Sequence, residues 1–161
     1  MFVKISRHLV HPARSATGAV LALLAAKLMG FPEFWWAPVS TMVVMQSNLG
    51  SALTVSWQRW VGTALGSAGG ALLASWFGAN VIAYAAGVFG MGLVCAALRL
   101  DRAAYRFAAI ALTIVMLVTH AESVWVVALH RFLEVSLGIA MGLLMTVLWP
   151  DRENSPGFQR K

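Results

Sequence analysis

Long apolar runs separated by short polar or charged clusters dominate this chain, and the spacing predicts helices rather than strands. After a basic segment over 1–14 with Lys4, Arg7, His8, His11, Pro12 and Arg14, apolar sequence runs from Ser15 to Gly30. It is broken late by Lys27 and lacks a small-x-small cleavage site, so it reads as a retained first helix and not as a removed signal. A second span is expected from Trp36 to about Gln46, with Pro38 in the first turn, where a missing N–H costs least. The third runs from about Arg59 to Phe77 and the fourth from about Asn80 to Leu98, joined by a turn too short for anything but a helical hairpin. Beyond the charged stretch from Arg99 to Arg106, a fifth span covers about Phe107 to Thr119, and a sixth runs from about Ala128 to Trp149 and ends at Pro150. The polar tail from Asp151 to Lys161 contains Pro156-Gly157 and reads as a disordered end.

Composition turns these helices into membrane spans. Apolar residues make up 60% of the 161 and charged residues 11%, with a mean hydropathy of +0.76, against roughly 45–50% and roughly 25% in a soluble domain. At about 20 residues per crossing, the chain has room for about six spans and no separate soluble domain. The expected organisation is a basic cytoplasmic N-terminus over 1–14, a six-helix membrane domain over 15–150 and a cytoplasmic tail over 151–161. A net charge of +6 and a pI near 10.5 would point to nucleic acid in a soluble chain. In a membrane chain the side on which the charges fall matters instead, and no nucleic-acid partner is expected.

With the N-terminus in the cytoplasm, Lys4, Arg7, Arg14, Arg59, Arg99, Arg102, Arg106, Arg152, Arg160 and Lys161 fall inside, which is 10 of the 12 basic residues. Lys27 and Arg131 fall outside. The positive-inside rule therefore expects both termini in the cytoplasm. Trp35, Trp36, Trp76, Tyr84 and Trp125 near the outer ends, with Trp57, Trp60, Tyr105 and Trp149 near the inner ends, fit rings at headgroup level. The single Cys95 excludes an internal disulfide, and no Cys/His quartet, nucleophile with a base, Walker loop or HExxH specifies zinc, another cofactor or catalysis.

The halves resemble each other at an offset of 71 to 72 residues. Arg59-Trp-Val-Gly62-Thr-Ala-Leu-Gly66-Ser-Ala-Gly-Gly70 aligns with Arg131-Phe-Leu-Glu134-Val-Ser-Leu-Gly138-Ile-Ala-Met-Gly142, and the segment Phe34 to Met45 aligns with Tyr105 to Met116. Three spans per unit invert the second unit, giving an all-α, 3+3 inverted repeat of the kind found in transporters. Chance similarity between glycine-rich apolar helices is the alternative.

Gly62, Gly66 and Gly70 recur every four residues, as do Gly138 and Gly142, which removes side chains along a stripe so that two backbones approach closely. The stripe serves packing within the chain or a seam between copies. Arg59 and Arg131 are each expected to open a helix, where a guanidinium beside unpaired N–H groups favours an anion; the alternative is that both snorkel to the interface. Glu134, one turn after Arg131, together with His120, Glu122 and His130, forms a proton relay or a solvated outer loop. Lys27 reaches outward toward Glu33 or binds substrate, and Gln46 and Asn48 line a polar mouth or cap a helix.

The stretch from Phe34 to Gln46, followed by Gln58-Arg59-Trp-Val-Gly62-Thr63-Ala-Leu-Gly66, resembles the membrane domain of the fusaric acid resistance (FUSC) and aromatic acid exporter family, and the Arg131 to Pro150 segment looks like that family's last span. The resemblance covers about residues 14–150. It implies a bacterial inner-membrane exporter of small organic anions, aromatic carboxylic acids or related toxic compounds. A related plant group forms dimeric anion channels. Typical exporters of the family carry two six-helix domains and large cytoplasmic regions, so this shorter chain is expected to work as a homodimer or higher homo-oligomer. The alternatives are an anion channel and a non-transporting membrane scaffold or assembly subunit of an efflux system.

Overall fold

A computed structural model describes residues 2–45, 48–118 and 123–149. They form α1 (Phe2–Leu28), α2 (Trp36–Val44), α3 (Leu49–Phe77), α4 (Val81–Ala97), α5 (Arg102–Leu117) and α6 (Val124–Leu148), with no strand among the described residues. The number and order of helices match the sequence expectation. Their lengths do not match six full crossings. At about 1.5 Å per residue, the 9 residues of α2 reach about 14 Å, well short of a hydrocarbon core of about 30 Å. Among the described residues, α6 is the one helix both long and apolar enough to cross a membrane, while α4 is apolar but shorter.

Several helix starts differ from the sequence expectation. The first helix starts at Phe2 and runs through Pro12, well before Ser15. Asn48 starts α3 ten residues earlier than expected, because its Oδ1 accepts from Ser51 N at 2.8 Å and so satisfies an N-terminal donor. This is the capping role of the two considered for Asn48. Asn80 does the same for α4, accepting from Ile82 N and Ala83 N at 2.9 and 3.1 Å. Left-handed residues close three helices: Gly78 (φ 60°) after α3, with its N–H on Ala74 O, and, each with a further bond, Gly30 (φ 75°) after α1, with Phe31 N on Ala26 O, and Arg99 (φ 54°) after α4, with Leu100 N on Cys95 O. The closures at Gly30 and Arg99 are six-to-one, and all three satisfy orphan carbonyls.

The chain packs as two compact units, one of Met1–Ser56 with Ser136–Lys161, the other of Trp57–Val135. In the first, the four-residue row Arg14, Gly18, Ala22 and Ala26 is the buried edge of α1. Ala22, Ala26 and Ala37 share a small-residue core covered by Phe31, Phe34, Leu137 and Met141. A Cβ added to Gly138 of α6 would strike Ala37 O and Ser40 of α2, and one on Gly142 would lie 3.2 Å from Thr41 O. That close approach lets Thr41 Oγ1 donate to Gly138 O at 2.9 Å.

The second unit builds the same kind of contact. Ala104, Ala108, Ala111, Leu112, Val115 and Met116 form the buried face of α5, at the spacing of an amphipathic helix. Gly66 of α3 lies against the Ala108 backbone, where an added Cβ would strike the carbonyl oxygen, and Gly70 would come within 3.1 Å of Leu112 Cα. Met91 and Cys95 of α4 complete the core around Ala108 and Leu112. Gln58 Nε2 donates to Asp101 Oδ2 at 2.7 Å, tying α3 to the start of α5.

Candidate anion-binding site

The glycine edge of α3 fixes where its polar edge lies. With Gly62, Gly66 and Gly70 turned to α5, the residues one position further on the first two rows, Thr63 and Ser67, fall on a neighbouring edge with Arg59 one turn before them. All three are buried: Arg59 is 7% exposed, Thr63 3% and Ser67 3%. The Arg59 guanidinium sits over the Phe107 ring at 5.0 Å from its centroid, a cation–π contact that strengthens as water is removed. On α6 of the same unit, Arg131 is 3% exposed and Glu134 0%. Among the described residues of Trp57–Val135, three charged side chains are thus buried, two positive and one negative. Burial of ionisable groups is costly and marks functional positions in membrane chains.

The expected placement of both arginines at helix starts is corrected. Arg59 stands ten residues into α3 and Arg131 seven residues into α6. At those positions the backbone N–H groups are committed to carbonyls four residues back, so no free donors or dipole end support an anion there. The positive charge there is that of the buried guanidinium itself.

Lys27 is exposed, its Nζ 5.3 Å from the Phe34 ring centroid, and Glu33 accepts from Trp36 Nε1 at 2.9 Å. Lys27 belongs to the unit of Met1–Ser56 with Ser136–Lys161, whereas Arg59, Arg131 and Glu134 belong to that of Trp57–Val135. Gln46, His120 and Glu122 lie outside the described residues, as does the segment from Pro150 onward. The glycines expected to pack, Gly62, Gly66, Gly70, Gly138 and Gly142, all meet a neighbouring helix within their own unit.

Sequence reasoning missed Arg14. Counted only as one of the cytoplasmic charges, it is 0% exposed and donates from Nη1 to Trp149 O at 2.9 Å, just past the end of α6. Its four-residue spacing to Gly18, Ala22 and Ala26 was the available signal. Thr63 and Ser67 were also passed over, although their spacing from Arg59 is readable in the sequence.

The fusaric acid resistance protein-like family matches residues 21–145. "Inner membrane protein YeeA" of Escherichia coli (strain K12) is 29% identical over 159 residues, which cover 93% of this chain and 44% of that protein. The chain therefore spans less than half the length of the curated relative it matches. No solved structure matches. With its buried charges, helical architecture and a match over most of its length, the chain belongs to the fusaric acid resistance protein-like family of membrane proteins.

Proposed function

We propose that this protein is an inner-membrane exporter of small organic anions, of the aromatic carboxylate class, working as a homo-oligomer with both termini in the cytoplasm. The observation that carries the reading is the burial of Arg59 and Arg131 in one packing unit with one buried carboxylate among its described residues, Glu134. Two guanidinium groups against one carboxylate leave a formal positive charge in a poorly hydrated place, and a carboxylate ligand offsets it. Guanidinium also matches carboxylate with two parallel hydrogen bonds, which lysine cannot reproduce.

Inverted three-helix repeats are part of the same proposal, and the packing contacts support it. Gly66 against Ala108 corresponds to Gly138 against Ala37, and Gly70 against Leu112 corresponds to Gly142 against Thr41, each at the sequence offset of 71 to 72. In both cases the third helix of one repeat lies on the second helix of the other. Chance similarity between apolar helices gives no reason for the contacts to correspond as well.

Proteoliposomes loaded with benzoate test the function. Wild-type flux should saturate with benzoate, Arg59→Gln and Arg131→Gln should each reduce it at least tenfold, and Arg59→Lys should recover part of the loss. Wild-type flux in both glutamine variants would remove the arginines from the pathway and favour a scaffold. A steady benzoate current driven by voltage alone would favour a channel. Native mass spectrometry reads the oligomer, and a cysteine at Ser155 that reacts with an impermeant reagent from outside would overturn the orientation.

A further inference from the structure

Hydroxyls on the helices of this protein usually satisfy themselves. Thr17, Ser40, Thr41, Thr54, Thr113 and Thr146 each donate to the carbonyl four residues back, at 2.7 to 3.1 Å. Two buried serines of α3 depart from this: the Oγ atoms of Ser56 and Ser67 have no hydrogen-bond partner among the described residues, and Ser67, mid-helix in the Trp57–Val135 unit, is 3% exposed. A buried hydroxyl without a partner lowers stability, and alanine would be the better helix former at this position.

The neighbours of Ser67 indicate what it faces. Two contacts within the Trp57–Val135 unit set α3 against α6: Ala71 packs in one core with Val127 and Ala128, and the Trp60 ring lies 5.3 Å from that of Phe132. Moving from the first contact to the second descends α3 and ascends α6, so the two segments run antiparallel. One turn along in that direction, Ala71 gives way to Ser67 and Val127 gives way to Arg131. Ser67 and Arg131 thus lie on the segments of α3 and α6 that run between these two contacts, both buried.

We infer that the Ser67 hydroxyl is a substrate contact, donating a hydrogen bond to the carboxylate of an organic anion held at Arg131. The inference rests on the anion-export reading and adds to it a residue that sets affinity. An oxygen of the carboxylate takes the Ser67 proton donor while the guanidinium supplies charge and orientation.

Ser67→Ala removes one oxygen and leaves the helix intact, so its melting temperature should equal or exceed that of the wild type. The benzoate concentration for half-maximal flux in proteoliposomes should rise about tenfold or more, the range for losing a hydrogen bond to a charged group, with the maximal rate largely kept. A second variant reads binding without transport. Ser67→Cys, made in a Cys95→Ala background, should react with a negatively charged methanethiosulfonate, and benzoate should slow that reaction. If Ser67→Ala keeps the wild-type half-saturation while Arg131→Gln loses flux, the export reading stands and the role of Ser67 is overturned. If the wild type moves no benzoate, the export reading falls. Benzoate protection of the introduced cysteine would then still support a carboxylate contact at Ser67, and unprotected or absent reaction would overturn it.

Discussion

Alanine at Gly66 is a one-carbon perturbation whose consequence can be worked from the coordinates. The new Cβ would strike Ala108 O and lie 2.7 Å from Ala108 C and 2.8 Å from its Cα. Ordinary contacts begin near 3.4 Å, and all three obstacles are backbone, so no rotamer change relieves them. α3 and α5 must part by something approaching an ångström. A gap of that size forfeits about a quarter to a half of each dispersion contact along the seam, and overpacking of this kind costs about 1–3 kcal/mol. Gly138→Ala faces the matching obstacle at Ala37 O and should cost the same. Gly70→Ala, whose nearest atoms stand at 3.1 Å, should cost less. Gly90 on α4 is the control, because an added Cβ there meets nothing within 4 Å. Its replacement by alanine should gain about 0.5–1 kcal/mol from helix propensity. Thermal melts in detergent read the series. At about 2–4 °C per kcal/mol for a chain of this size, Gly66→Ala should melt several degrees below the wild type and Gly90→Ala slightly above it. Equal melting of the two would refute close approach of α3 to α5.

Two further outcomes concern helix ends. Arg14→Gln removes the reach to Trp149 O and should lower stability by about 1.5–3 kcal/mol, with amide exchange rising first in the last turn of α6. Arg99→Gly places the residue best suited to a left-handed backbone at φ 54° and should raise the melting temperature, the gain being about 1 kcal/mol; an unchanged melt would show that the arginine is not strained there.

Helix number, order and the glycine seams were legible because apolar runs and four-residue spacing are local signals. Helix starts were less so. Arg59 was expected to begin α3 because its charge interrupts apolar sequence, whereas Asn48 is what supplies the capping oxygen, and a helix continues through a charge that packing accepts. Arg14 shows the same error, since a charge at the edge of an apolar run reads as solvated until its burial is seen. The buried group itself was partly legible, with Arg59, Arg131 and Glu134 named from spacing. Ser67 escaped notice because a serine in a helix carries no signal until its hydrogen bonds are counted.

Glu134 decides how the buried charges are used. It is 0% exposed and stands one turn after Arg131, so it is placed either as a counterion for the guanidinium groups or as a proton carrier that couples export to a gradient. Glu134→Gln preserves shape and hydrogen-bonding capacity while removing the charge. As a pure counterion its loss leaves two positive groups less compensated in a low-dielectric place, which destabilises the fold by about 3–5 kcal/mol when one partner of a buried pair is removed. The same change should tighten benzoate binding, because the anion no longer competes with a carboxylate. A proton carrier gives a different pattern, in which benzoate exchange across proteoliposomes continues and acceleration by a proton gradient disappears. An anion bound beside Arg131 would place a second negative charge near Glu134 and so favour its protonation, and this linkage is what the second pattern needs of an exporter. The expected result is therefore retained exchange with gradient-driven flux reduced at least tenfold. Glutamine at this position with full gradient-driven flux and a melting temperature several degrees lower would refute coupling and leave Glu134 a counterion alone.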